Sequence, residues 1–248
     1  MATPPGSITA VLGPTDAGKT TLLQALSGVL GSHHKQARAS GAVHIGSDAF
    51  APIPDRILFP RVALSMQDPL IQLSGIQETV EREIGFALEN MGVPPDEVAW
   101  RVRDSLNKFG LKPLAQRHPR TLSGGELQRV VLASILVAVP EVLLLDEPAT
   151  ALDSGMVVRL ASLLDGLKGS CTILFSDTQP DLALAIAENI VVLENGSISF
   201  AGGRREFLAR LPELTNAVSS DAWIDLIRNS YDAQRRLPRR VSPFFPMP

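Results

Sequence analysis

Residues 13–20, Gly-Pro-Thr-Asp-Ala-Gly-Lys-Thr, satisfy the pattern G-x-x-x-x-G-K-[ST] at every position. A loop of this kind turns consecutive backbone N–H groups inward. The positive end of the helix that follows faces the same spot, so an anionic triphosphate is held with little protein charge. Gly13 and Gly18 admit backbone angles that a side chain would forbid, and Pro14, Thr15, Asp16 and Ala17 form the arc between them. Lys19 is placed to reach β- and γ-phosphates, and the Thr20 hydroxyl to ligate Mg²⁺. The stretch reads as a P-loop.

A second chemical stretch begins at Leu122-Ser123-Gly124-Gly125-Glu126-Leu127-Gln128-Arg129 and leads into the apolar run from Val130 to Val139. Ser-Gly-Gly is by itself a common loop sequence. In the company of a P-loop, two glycines after a serine at the start of a helix read as another anion-binding turn. Four apolar residues, Val142 to Leu145, then end in Asp146 and Glu147. That is the pattern of a central parallel strand delivering a carboxylate to its C-terminal edge, where open α/β sheets bind ligands. Asp146 is placed to hold Mg²⁺ directly or through water, and Glu147 to orient and deprotonate water for in-line attack on a γ-phosphate. The plainer reading of the pair is a solvated strand edge or a helix cap.

The elements that must position these groups follow from periodicity. Ile8 to Leu12 enters the P-loop as a buried strand, and Thr21 to Leu26 leaves it as a helix. Val62 to Gln67 reads as a strand ending at a glutamine. Ile76, Val80, Ile84, Ala87, Leu88 and Met91 recur at helical spacing, as do Val98, Val102, Leu106 and Phe109 after Pro94-Pro95. Two helices with no strand between them interrupt a strand-helix alternation, as an inserted subdomain would. The reading is therefore an α/β chain with core at 1–70 and 122–201, a helical subdomain at 71–121 and a tail at 202–248. Thr172 to Phe175 and Ile190 to Leu193 are further strands, Leu182 to Ala187 a short helix, and Asn195-Gly196 a hairpin signal. In the tail, a helix is expected around Ala222 to Asn229, and Arg235, Arg236, Arg239 and Arg240 read as solvated rather than bound to anionic lipid.

Composition bounds the partners. Among 248 residues, 26 acidic side chains against 23 basic ones give a net charge of −3, which excludes a polycationic nucleic-acid binder. The single cysteine, Cys171, sits in an apolar run and reads as core in a reducing compartment. The longest apolar run, Val130 to Val139, is too short to cross a bilayer, which takes about 20 residues. His33 and His34 lack neighbours at metal-ligand spacing and read as a solvated loop.

From Ile8 to about Phe200 these residues resemble the ATP-binding subunits of ABC transporters. Gly13 to Thr20 stands at the Walker A motif, Gln67 at the glutamine loop, Leu122 to Gln128 at the signature, Val142 to Glu147 at Walker B, and Ala151-Leu152-Asp153 at the D-loop. The resemblance implies a RecA-like P-loop NTPase core with ATP and Mg²⁺ as ligands. It assigns nucleotide contacts to Gly13 through Thr21 and to Ser123, Gly124, Gly125 and Glu126, with Mg²⁺ held by Thr20, Asp146 and Gln67. Glu147 and Gln67 carry the catalysis. It also implies that two such subunits, as a homodimer or as a heterodimer with a second ABC ATPase, sandwich two ATP molecules, the signature of one facing the γ-phosphate held by the other. Integral membrane subunits would be the partners at the cytoplasmic face, with no nucleic acid. Ser65-Met66-Gln67-Asp68-Pro69, then Gln72-Leu73 and Glu78-Thr79-Val80, look most like the energy-coupling-factor importers of vitamins and cobalt or nickel ions.

The sequence also departs from that pattern. Relatives carry a longer segment before the P-loop, with an aromatic residue for adenine; Met1 to Leu12 supplies neither, so the antiparallel part at the N-terminal end is expected to be truncated. Asp16 stands where a small residue is usual, and Gly-Pro-Thr-Asp also looks like the P-loop of certain polynucleotide kinases. No histidine occupies the switch position, which falls at Asp177 or Thr178. Slow hydrolysis is the expectation. The other readings weighed are a soluble ABC ATPase outside transport, and a nucleotide-binding regulatory subunit with little hydrolysis.

Overall fold

The computed structural model describes residues 2–30, 40–50, 58–150 and 152–217. In chain order the elements are β1 (Ile8–Leu12), α1 (Lys19–Ser27), β2 (Val43–Ile45), β3 (Asp48–Phe50), β4 (Val62–Ser65), α2 (Val80–Asn90) and α3 (Pro95–Lys108). They continue with α4 (Gly124–Leu136), β5 (Val142–Asp146), α5 (Ser154–Asp165), β6 (Thr172–Asp177), α6 (Asp181–Ile186), β7 (Asn189–Glu194), β8 (Ser197–Gly203) and α7 (Arg204–Ala217). The chain divides into two compact units, Met1–Leu23 with Asp153–Pro248, and Gln24–Leu152.

In the first unit, β1 is buried at all five residues, as its unbroken apolar run requires. It lies parallel to β6 on one side and to β7 on the other. β8 returns antiparallel to β7 through Asn195 and Gly196, at φ 49° and 75°. Two successive positive φ values make the primed turn whose twist matches the strands it joins, which is why Asn-Gly marks it. The edge of this unit is closed by α7, whose Phe207 packs on Phe200 of β8 with ring centroids 5.5 Å apart.

In the second unit, β4 and β5 pair in parallel from Val62 opposite Val142 to Ser65 opposite Leu145. β2 and β3 form a small antiparallel hairpin. Arg61 fastens that hairpin to the start of β5, donating to Asp48 at 2.7 Å and to Glu141 at 2.6 Å. The buried stripes Val80, Ile84 and Leu88 of α2 and Val98, Val102 and Leu106 of α3 are those the periodicity predicts. A Cβ built at Gly85 would sit 3.2 Å from Val102, so the two helices meet where α2 has no side chain.

The mainly parallel α/β fold with two consecutive helices agrees with the sequence reading, and four details differ. Ile76 and Met91 were expected on the buried stripe, but Ile76 is 69% exposed and Met91 is an exposed C-cap. The helix starts only at Val80, because Gly75 turns the chain at φ 75° and Thr79 caps the helix by accepting from the Arg82 N–H. β4 stops at Ser65 instead of reaching Gln67, since the Met66 N–H leaves the ladder for a side chain. The tail folds as a helix over Arg204–Ala217, ahead of the one expected around Ala222 to Asn229. That latter segment, the tail arginines, His33, His34 and Ala151 all lie outside the described residues.

Candidate nucleotide-binding and hydrolysis site

The first unit carries the P-loop. Gly13 cannot bear a side chain there, because a Cβ would lie 2.2 Å from the Leu193 carbonyl oxygen. β7 therefore sets the floor of the loop. Asp16 and Gly18 both have positive φ, 64° and 97°. Aspartate enters the left-handed region more readily than most side chains, which explains why a charged residue is tolerated at Asp16. The Ala17 carbonyl accepts from the Gly196 N–H at 3.2 Å, tying the arc to the β7–β8 turn. Lys19, only 5% exposed, donates from Nζ to the carbonyls of Gly13 at 3.0 Å and Pro14 at 2.9 Å. The ammonium is thus held across the mouth of the loop by the chain's own carbonyls. No acidic residue occupies the first turn of α1. A closed arc, an inward lysine and an uncompensated helix N-terminus fit a polyphosphate.

The same unit carries Asp177 and Thr178, the residues expected at the switch position. Asp177 ends β6 directly opposite Leu12, the residue before the P-loop. It is 2% exposed, and its Oδ1 accepts from the Gln179 N–H at 2.9 Å. Thr178 is half-buried one residue beyond the strand. Asp153 caps α5, accepting from the Met156 N–H at 2.9 Å.

The second unit carries the remaining residues. β5 delivers Asp146, 5% exposed, to its C-terminal edge. Glu147 follows at φ 46°, a strained conformation for a residue with a side chain. Its Oε2 accepts from Gln67 Nε2 at 3.1 Å and from the Thr150 hydroxyl at 3.2 Å. Gln67 and Glu147, singled out separately in the sequence, are thereby in direct contact. Thr150 is the residue that sequence reasoning missed; a hydroxyl three positions after Glu147, past a proline that turns the chain, was the available signal.

At the start of α4, Ser123 is the N-cap of a capping box. Its N–H and hydroxyl donate to Glu126 Oε2 at 2.8 and 2.9 Å. These bonds, the backbone one first, hold the Glu126 carboxyl below its ordinary range, with smaller help from Arg117 and Arg129. The carboxylate named as a nucleotide contact is thus engaged in shaping the turn. A Cβ built at Gly124 meets nothing within 4 Å, so the turn stands open at that residue.

Among the described residues no three His, Cys, Asp or Glu side chains gather as a metal cluster. Asp146 and Gln67 in the second unit and the Thr20 hydroxyl in the first are each an oxygen donor of the kind Mg²⁺ takes, an ion that keeps several waters and few protein ligands.

A strand, a glycine arc and a helix closing on an inward lysine, with a carboxylate-ended parallel strand in the same chain, define a P-loop nucleotide-binding protein. The family model described as ABC transporter matches residues 1–150. The chain is 38% identical over 222 residues to the nickel import ATP-binding protein NikO of Rhodobacter capsulatus, covering 88% of this chain and 86% of that protein. To the energy-coupling factor transporter ATP-binding protein EcfA2 of Latilactobacillus sakei it is 34% identical over 218 residues, 85% and 72% of the two. Its fold matches cbiO1 of Clostridium perfringens, part of the ABC transporter complex cbiONQ, with TM-score 0.74 at 27% identity over 94% of this chain and 90% of that one. The chain belongs to the ABC transporter family, as an ATP-binding subunit with ATPase activity. Among the described residues no helix is long and apolar enough to cross a membrane.

Proposed function

We propose that the chain hydrolyses ATP to energise substrate uptake through an energy-coupling-factor type of importer, as a peripheral subunit at the cytoplasmic face of the membrane. The observation that carries the chemistry is Glu147, held at the end of a buried strand by Gln67 and Thr150. Lys19 and the backbone N–H groups of Gly13 and of Thr15 to Thr21 bind the triphosphate, Pro14 having none to donate. Glu147 takes the proton from the attacking water, and Gln67 fixes where that carboxylate sits. Thr20, Asp146 and Gln67 would hold Mg²⁺, which would supply positive charge against the charge that develops on the phosphate. Ser123, Gly124 and Gly125 face the γ-phosphate of a second ATPase subunit, identical or related, with Glu126 shaping their turn. The importer class is supported by the NikO and EcfA2 likenesses and by the Ser65 to Gln72 segment.

Glu147→Gln keeps the shape of the side chain and removes its basicity. It is expected to retain ATP affinity while steady-state turnover falls on the order of 10²-fold or more. Calorimetry and phosphate release measure the two separately. Wild-type turnover in this variant would end the assignment of the base. Recovery of membrane subunits with the tagged chain from detergent-solubilised membranes tests the transport role.

A further inference from the structure

The segment that carries Gln67 is fastened to its surroundings by side chains instead of by sheet. Where β4 stops, the Met66 N–H goes to Gln72 Oε1 at 2.7 Å, and Gln72 Nε2 donates to the Leu64 carbonyl at 2.6 Å. One carboxamide thus supplies, on both sides of Ser65, the acceptor and donor that a neighbouring strand would otherwise provide. Asp68 closes the front of the short Pro69–Gln72 turn by accepting from the Leu70 N–H at 2.9 Å. Farther on, Ser74 gives its N–H and its hydroxyl to the Glu83 carboxylate, each at 2.7 Å. Glu83 belongs to α2 and is buried. A buried carboxylate is costly unless it is bonded, and both of these bonds go to the segment. The segment is therefore anchored at one end to β4 and at the other to α2.

We propose that Gln72 is a positioning residue for hydrolysis: it fixes the backbone at Met66 and so sets where the Gln67 carboxamide meets Glu147, while Glu83 ties the same segment to α2. The inference rests on the reading of Glu147 as the base. The backbone on the N-terminal side of Gln67 is held by Gln72, which leaves the torsions from Met66 to the Gln67 carboxamide to decide whether its Nε2 reaches Oε2 at 3.1 Å. Freeing Met66 multiplies the arrangements available to Gln67 and dilutes the one that bonds Glu147. Gln72 touches neither Glu147 nor the P-loop in the hydrogen bonds that define it, so its loss should slow turnover without weakening ATP binding.

The test uses the assembled transporter complex with Gln72→Leu, Gln72→Glu and, as reference, Glu147→Gln. Gln72→Leu is expected to lower kcat roughly tenfold and to leave ATP affinity within about twofold. Gln72→Glu turns a carboxylate lone pair on the Leu64 carbonyl when ionised. Protonated, its O–H donates to that carbonyl as the carboxamide does. The ratio of its kcat to the wild-type kcat should therefore rise as pH is lowered from about 7 to about 4.5, through the upper part of the ordinary carboxylate range. Acid does not repair a merely misfolded loop. The proposal is overturned if Gln72→Leu turns over like wild type, or if the Gln72→Glu ratio is flat with pH. Should Gln72→Leu fail to fold, the pH ratio decides alone. Wild-type turnover of Glu147→Gln would instead bring down the base assignment, whereas an inactive Glu147→Gln beside an unimpaired Gln72→Leu would bring down only the positioning role.

Discussion

Glu147 sits at φ 46°, and a left-handed conformation costs a residue with a Cβ about 1 kcal/mol. That strain falls on the carboxylate that Gln67 and Thr150 hold, which is where a preorganised base would accumulate it. Asp177 and Thr178, the two candidates for the switch position, differ in the same terms. Asp177 is buried in β6, where its Oδ1 accepts from the Gln179 N–H, so an imidazole there would remove that bond and have to fit inside a buried strand. Thr178 lies just past the strand and is only half-buried. Thr178→His is therefore expected to raise steady-state ATPase of the assembled complex roughly tenfold, below the 10²–10³ that a full oxyanion contact gives. Asp177→His is expected to lower the thermal midpoint without raising the rate. A rate unchanged by Thr178→His would show that another group already does the histidine's work.

Each candidate group depends on where an element stops. β4 gives way at Ser65 because a carboxamide takes its next N–H, β5 ends in Asp146, and α4 begins at the Ser123 cap. At its other end α4 terminates badly. Val139 closes the helix with its N–H on the Leu136 carbonyl, at φ 54° and 72% exposed, although β-branched side chains are the least suited to that region. Glycine is the usual occupant. Val139→Gly is expected to raise unfolding stability by about 1 kcal/mol, relief of strain outweighing the added freedom of the unfolded chain. Denaturant titration measures this as a higher midpoint at unchanged slope. A lower midpoint would mean that the valine side chain contributes more by packing than its backbone costs.

At the scale of the molecule, the proposed pairing of ATPase subunits turns on the signature. Gly124 is open to solvent, and Ser123 lies exposed at the N-terminus of α4. The Glu147→Gln chain is expected to form a nucleotide-bound dimer, and adding Ser123→Arg should prevent it by crowding the partner's γ-phosphate. Light scattering with and without ATP reads the mass directly. If Glu147→Gln alone stays monomeric at saturating ATP and in complex with membrane subunits, the sandwich arrangement is wrong for this chain. A dimer that survives Ser123→Arg would remove the signature from its interface.

The sequence by itself determined the features whose cause is local. The P-loop is legible because glycine at 13 and 18 and lysine at 19 are backbone and reach requirements within a few residues, and Asn195-Gly196 because one turn type needs two positive φ values. The strands β1 and β5 announce themselves as short apolar runs, since both their faces are covered. Tertiary structure alone decided the rest. That Ile76 faces water follows from Gly75 and the Thr79 cap overriding a helical period that continued on paper. That Gln67 reaches Glu147 depends on where the paired strands bring chain segments that lie 80 residues apart, whereas the Thr150 and Gln72 bonds span only three and six residues. A hydrogen bond between distant segments leaves no periodicity in either of them, so only the packed fold shows which polar side chains have been brought within its reach.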